Sequence, residues 1–210
     1  MIAELIRTPN QYFTDRIKYP HLRTQAIIVA LAGLLTHGWR LGTMQNLGAS
    51  STYIEDVLII LTFAGVLEFF FWWLALTAVM HLVANALGGD SSYGRLLRLV
   101  GYSFLPLLLS GAVWSAGRYI AIQGVTNPPE PPISSSFQYR YESYSRFLDQ
   151  AAGDPLLLGS LVLGSVFVLA AGYLWLQAVS VAADVDTNSA GIAAGIATVI
   201  FLARVFIPVV

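Results

Sequence analysis

Three groups of side chains in this 210-residue chain are of types that could do chemistry. Glu68 stands inside an apolar tract and is followed by Phe69, Phe70, Phe71, Trp72 and Trp73. A charge in hydrocarbon costs at least about 2.5–3 kcal/mol, so the carboxyl group should face the bundle interior or be protonated. It reads either as a proton or cation site or as an interhelical hydrogen bond made by a neutral acid. His81 and Asn85 are four apart and share a helical face. Imidazole and amide could hold a metal, but one His without a carboxylate at matching spacing is a poor ligand set. A helix-packing pair is the better reading, and no metal or other cofactor is expected. Glu68 and His81, 13 apart at about 100° per residue, fall on nearly opposite faces and form no acid–base dyad.

The third group is the segment 88–98, Gly-Gly-Asp-Ser-Ser-Tyr-Gly-Arg-Leu-Leu-Arg. Gly88 and Gly89 supply the backbone freedom of a helix C-cap, and Ser91 or Ser92 can cap the next helix. Arg95 and Arg98, three apart, share a face from which they could bind anionic headgroups or pair with Asp90. The pattern is neither of the phosphate-cradling glycine motifs. An ordinary tight loop with two snorkelling arginines is an equal reading. Downstream, Tyr102 and Ser103 are polar side chains inside the next apolar tract. Pro106 frees the carbonyl of Tyr102 and should kink that helix. Small residues read as packing: Gly111 with Ser115, Ser160 with Gly164, and above all Gly191 with Gly195, a small-xxx-small contact face. Asp184, Asp186, Asn188 and Ser189 look like a polar turn and helix cap. No zinc-protease helix, serine elbow or carboxylate pair at helical spacing within a span is present. The chain has no Cys, which excludes disulfides and thiolate sites.

These residues need elements to hold them, and the composition dictates which. The chain is 56% hydrophobic and 11% charged, with a mean hydropathy of +0.67. Soluble domains carry about a quarter charged residues. A net charge of −1 provides no field for a nucleic acid. Apolar tracts run over 24–39 (extending to about 41), 57–87, 96–123, 156–183 and 190–207. Each exceeds or approaches the ~20 residues that cross ~30 Å of hydrocarbon as helix, and none alternates as barrel strands do. The expectation is an all-α, polytopic transmembrane bundle of five helices. The second tract, about 46 Å long as a straight helix, must tilt, break near Gly65 or project beyond the membrane.

Residues 1–23 are expected to be an N-terminal tail, and 24–210 the five-helix domain with an outer loop at about 124–154. No cleavable signal peptide is discernible, so the first span should serve as an anchor. Ile2, Leu5, Ile6, Tyr12, Phe13 and Ile17 suggest short amphipathic segments along the headgroups, with a loosely ordered tail as the alternative. In the loop, the prolines between Asn127 and Pro132 exclude helix. Phe137, Tyr139, Tyr141, Tyr144 and Phe147 suggest an interfacial segment or, less simply, a lid. Arg7, Arg16, Lys18, Arg23, Arg95 and Arg98 fall on one side, Arg40, Arg118, Arg140 and Arg146 on the other. The positive-inside rule then places the N-terminus in the cytoplasm and the C-terminus outside.

The stretch 78–106 resembles the Yip family, the Ypt/Rab-interacting five-span membrane proteins. The carrying residues are His81, Gly88-Gly89-x-Ser91 or Ser92, Arg95, and Val100-Gly101-Tyr102-Ser103-x-x-Pro106. Thr8-Pro9 with Tyr12-Phe13 is similar to the segment ahead of the first span in prokaryotic relatives. One Lys against ten Arg fits a GC-rich prokaryotic genome. The long acidic-proline tail of eukaryotic members has no counterpart in residues 1–23. The resemblance implies a non-enzymatic protein integral to a prokaryotic cell membrane. Such a protein would organise membrane or trafficking-like processes through anionic lipid headgroups, a membrane-protein partner or a second copy of itself, acting at Gly88, Gly89, Asp90, Arg95 and Arg98. The rival expectation is a small ion or solute permease that uses Glu68.

Overall fold

The computed structural model describes residues 2–18, 21–46, 51–125 and 136–206; the proline cluster at 127–132 lies outside them. Among the described residues the chain is helical and contains no strand. The helices are α1 (Ile2–Arg7), α2 (Pro9–Arg16), α3 (Arg23–His37), α4 (Trp39–Asn46), α5 (Ser51–Ala86), α6 (Tyr93–Tyr102), α7 (Leu105–Gln123), α8 (Phe137–Asp149), α9 (Pro155–Ala183) and α10 (Thr187–Phe206). Five segments are long and apolar enough to cross a membrane: Arg23–Thr43, Glu55–Ala86, Leu105–Gln123, Pro155–Ala183 and Thr187–Phe206. The five-span bundle is therefore borne out.

Helix α9 lies at the centre and packs against α7, α10, α6, α2 and α5, while α3 packs against α5, α7 and α6. On α5 the inward stripe is Leu58, Thr62, Gly65, Phe69, Trp73, Leu76, Met80 and Ala84. Steps of three and four residues make one seam along a helix. The opposite face carries Phe63, Leu67, Phe71 and Leu82, each more than 60% exposed. In water such a surface would drive aggregation; in lipid it is the required outer coat. Helix α5 runs unbroken for 36 residues, about 54 Å. Gly65 makes no turn. Its missing side chain is a notch for the His37 ring, whose carbons would collide with a Cβ there.

The third tract departs from the expected kinked helix. Two helices occupy it, α6 and α7, with Ser103 and Phe104 between them. Pro106 lies in the first turn of α7, where its missing N–H costs nothing. It starts a helix instead of bending one, and Arg95 and Arg98 belong to α6, outside the spans. The N-terminal segment is helical, and one face of it is turned into the bundle. Leu5, Tyr12 and Phe13 are buried in the main core with Trp175, Phe104 and Leu174. Tyr12 meets Tyr102 edge to face at 5.7 Å, and Arg16 lies over both rings.

Candidate functional site

The turn between α5 and α6 is built from backbone upward. Gly89 N–H donates to Ala84 carbonyl at 2.9 Å and Gly88 N–H to Asn85 carbonyl at 3.1 Å. This is a Schellman cap, which needs a left-handed residue at its first position after the helix; Gly88 has φ +92°. Gly89 serves a different purpose. A Cβ there would meet Val185 Cγ1 at 2.7 Å and Ala84 carbonyl oxygen at 2.9 Å, so its absence lets this turn dock on the α9–α10 turn. Asp90 N–H donates to Ala183 carbonyl at 3.0 Å, joining the two. On the neighbouring turn Asp184 is left-handed, with φ 51°. Asp186 caps α10 by accepting from Ser189 N–H at 3.0 Å. The Ser189 hydroxyl first, and then this N–H, hold its exposed carboxyl below the ordinary aspartate range.

His81 and Asn85 lock this turn. Asn85 Oδ1 accepts from Ser91 N–H at 3.1 Å and from Ser91 Oγ at 2.9 Å, while His81 Nδ1 lies 2.7 Å from the same hydroxyl. Beyond the lock, α6 is amphipathic. Leu96, Leu97, Leu99 and Val100 are buried, Gly94 and Arg95 are exposed and Arg98 is half-buried. Tyr102 and Ser103 are buried, the hydroxyl of Ser103 returning to Leu99 carbonyl.

At the other end of the bundle, charged groups from four spans converge. Glu68 Oε1 accepts from Arg204 Nε at 2.6 Å and from Trp72 Nε1 at 3.1 Å; its Oε2 lies 3.7 Å from His37 Nε2. Phe69, Trp72 and Phe201 surround the Arg204 guanidinium at 5.3–6.0 Å. Arg40 contacts His37 Nδ1 at 2.9 Å and donates to Leu61 carbonyl at 2.8 Å. Arg40 and Arg118 both lie over the Trp39 ring, at 5.4 and 5.7 Å. Helix α8 closes this region by inserting Tyr144 and Phe147 beside Val57 and Leu58, while Arg140 pairs with Asp56 at 2.9 Å. Burial pushes the Tyr144 hydroxyl above the usual tyrosine range, against the opposing pull of Arg40 and Arg118.

Compared with known families, residues 3–207 match the model of the Yip1 domain. The chain belongs to the Yip1 family. No curated protein and no solved structure matches it. Yip1 membership covers nearly the whole chain, including the helices that precede the first span.

Within this Yip1 domain the residues singled out from sequence separate into two places. His81, Asn85, Gly88, Gly89, Asp90, Arg95 and Arg98 come together at the α5–α6 turn, and Glu68 lies apart from them. As an interhelical contact, Glu68 meets an arginine, where a neutral acid bonding to a polar partner was one expectation. Within the bundle of one chain, Gly191 and Gly195 do not form the packing face of α10. A Cβ at Gly195 would meet nothing within 4 Å, and one at Gly191 only Leu176 at 3.8 Å. The inner face is Ala190, Ala193, Ala194, Ala197, Thr198 and Phe201. The closest glycine contacts lie elsewhere, at Gly164 against Trp114, Gly117 against Ser160 and Gly172 against Thr198. His37 and Arg204 escaped the sequence reading because each sits in a tract read as apolar. The signal was present: an isolated basic side chain within a hydrophobic run calls for a partner. Among the described residues, no group of three His, Asp or Glu side chains could hold a metal ion.

Proposed function

We propose that this Yip1-family membrane protein organises membrane without catalysing a reaction, and that its α5–α6 turn and α6 contact acidic lipid headgroups. The observation that carries this reading is the contrast along the turn. His81, Asn85, Ser91, Gly88 and Gly89 are consumed in holding the backbone, which leaves exposed Arg95 on an amphipathic helix outside the spans. A basic residue on such a helix suits the anionic surface of a membrane. This end also carries Arg7, Arg16, Lys18 and Arg23, in keeping with a cytoplasmic N-terminus in a cell membrane. The test is retention of phosphatidylglycerol against phosphatidylcholine by the purified protein. The double variant Arg95→Gln/Arg98→Gln should keep several-fold less of the anionic lipid, and unchanged retention would overturn the reading. Loss of a captured membrane protein with lipid retention intact would replace the lipid by a protein partner.

A permease is the second reading, favoured by the Glu68–Arg204 pair between two spans. Flux through reconstituted vesicles that Glu68→Gln abolishes would support it.

A further inference from the structure

The end of the bundle opposite the α5–α6 turn holds a group of buried donors without acceptors. Glu68 is engaged by Arg204, Asp56 by Arg140 and Glu142 by Arg146. Arg40 and Arg118 both lie over one indole ring, with no carboxylate of their own among the described residues. Three further donors at this place are buried and have no hydrogen-bond acceptor: Trp39 Nε1, Arg40 Nε and the Tyr144 hydroxyl. Trp39 is 5% exposed and Tyr144 1%. The Tyr144 hydroxyl faces Thr43 and Arg40 without closing a bond of ordinary geometry to either. Thr43 spends its own proton on Arg40 carbonyl at 2.7 Å. Buried donors are paired in the great majority of native structures, and two like charges over one ring repel unless a counter-charge joins them.

We propose that Arg40, Arg118, Trp39 and Tyr144 form a binding site for a phosphate group at the end of the bundle remote from the N-terminal helices. All four side chains offer hydrogen to oxygen: the Arg118 guanidinium, the unpartnered Nε of Arg40, an indole N–H and a phenol O–H. Guanidinium forks match the tetrahedral dianion or phosphodiester geometry bidentately. The phosphate can belong to a lipid headgroup or to a free anion, since the recognising chemistry is shared. This site is distinct from Arg95 and Arg98, which lie beyond the opposite end of the spans.

The experiment uses the full chain purified in detergent, with Arg118→Gln, Arg40→Gln and the charge-retaining Arg118→Lys. Native mass spectrometry and thermal melting are read with phosphatidylglycerol, phosphatidylcholine or inorganic phosphate added. The wild type should bind phosphatidylglycerol and melt higher with it. Arg118→Gln should weaken that binding roughly tenfold or more, as loss of a charge-assisted bond does, and Arg118→Lys should fall between. Without added anion, Arg118→Gln should melt no lower than wild type, because it relieves the repulsion from Arg40. Arg95→Gln/Arg98→Gln should keep this binding event, so failure here and failure of the α6 reading are told apart. Stabilisation by phosphatidylglycerol alone assigns a lipid, and stabilisation by inorganic phosphate as well assigns a free anion. Binding by Arg118→Gln equal to wild type, or no response to any phosphate, overturns the site.

Discussion

Replacing Glu68 by Gln is expected to weaken the fold by about 1–3 kcal/mol. Removing the partner of a buried charge costs about 3–5 kcal/mol when the pair is dry. Here the Arg204 side chain is 12% exposed and the Glu68 side chain 35%, so the upper range does not apply. The three aromatic rings around the guanidinium continue to hold it, each contributing about 0.5–2 kcal/mol. Glutamine also keeps an oxygen for the Trp72 N–H. What is lost is the charge opposite Nε, which leaves a guanidinium between α5 and α10 without its anion. Unfolding in mixed micelles of rising dodecyl sulfate content, followed by loss of helical circular dichroism, gives the difference directly. Arg204→Met removes the other half, and the double variant should be less destabilised than the two singles added together, by about 1 kcal/mol. A Gln variant that unfolds with the wild type, or strict additivity of the two changes, would show that the pair contributes nothing and refute the reasoning.

Gly88→Ala should destabilise by about 1–2 kcal/mol through its left-handed backbone alone, since a Cβ there meets nothing; Gly88→Asn should recover part of it in the same unfolding assay. Gly89→Ala should cost about 1–3 kcal/mol by overpacking, and Val185→Ala should relieve some of that by removing the nearest contact. Asn85→Ala strips two bonds from Ser91 and should cost about 1–2 kcal/mol, with faster amide exchange concentrated at residues 88–92. Tyr144 is held protonated by burial, so stability from this group is full below its unfolded pKa near 10 and declines as pH rises above that. Tyr144→Phe should therefore flatten the loss of stability above about pH 10 while changing little at pH 7, as read from melting curves across that range.

How far the sequence foretells the fold depends on which physics is in play. Spans were legible because hydrocarbon imposes a length and a composition that few other constraints can mimic. Gly88 and Gly89 were legible as a helix end, since positive φ is a local demand that only glycine meets cheaply. Which element a small residue touches is not local. Gly191 and Gly195 carry the spacing of a contact face, yet within the bundle Ala190, Ala193, Ala194 and Ala197 take that role, on the side where Phe201 meets Phe69, Trp72 and Trp175. The Arg204–Glu68 bond joins residues 136 positions apart, and no periodicity within a helix reports such a distance. Tyr12 and Phe13 show the same blindness: ahead of a span they read as headgroup segments or as part of a loose tail, and their burial with Trp175 joins distant segments that no local pattern reports.

That buried pair alters how the protein can be handled. Hydropathy invites an engineer to trim everything before Arg23, where the first span begins. Doing so would pull two rings, one of them fully enclosed, out of a wedge between Tyr102 and α9, and uncap the joint where α6 gives way to α7. A shortened version would not be a cleaner minimal domain but an unstoppered one, prone to recruit detergent or a neighbour into the vacated space.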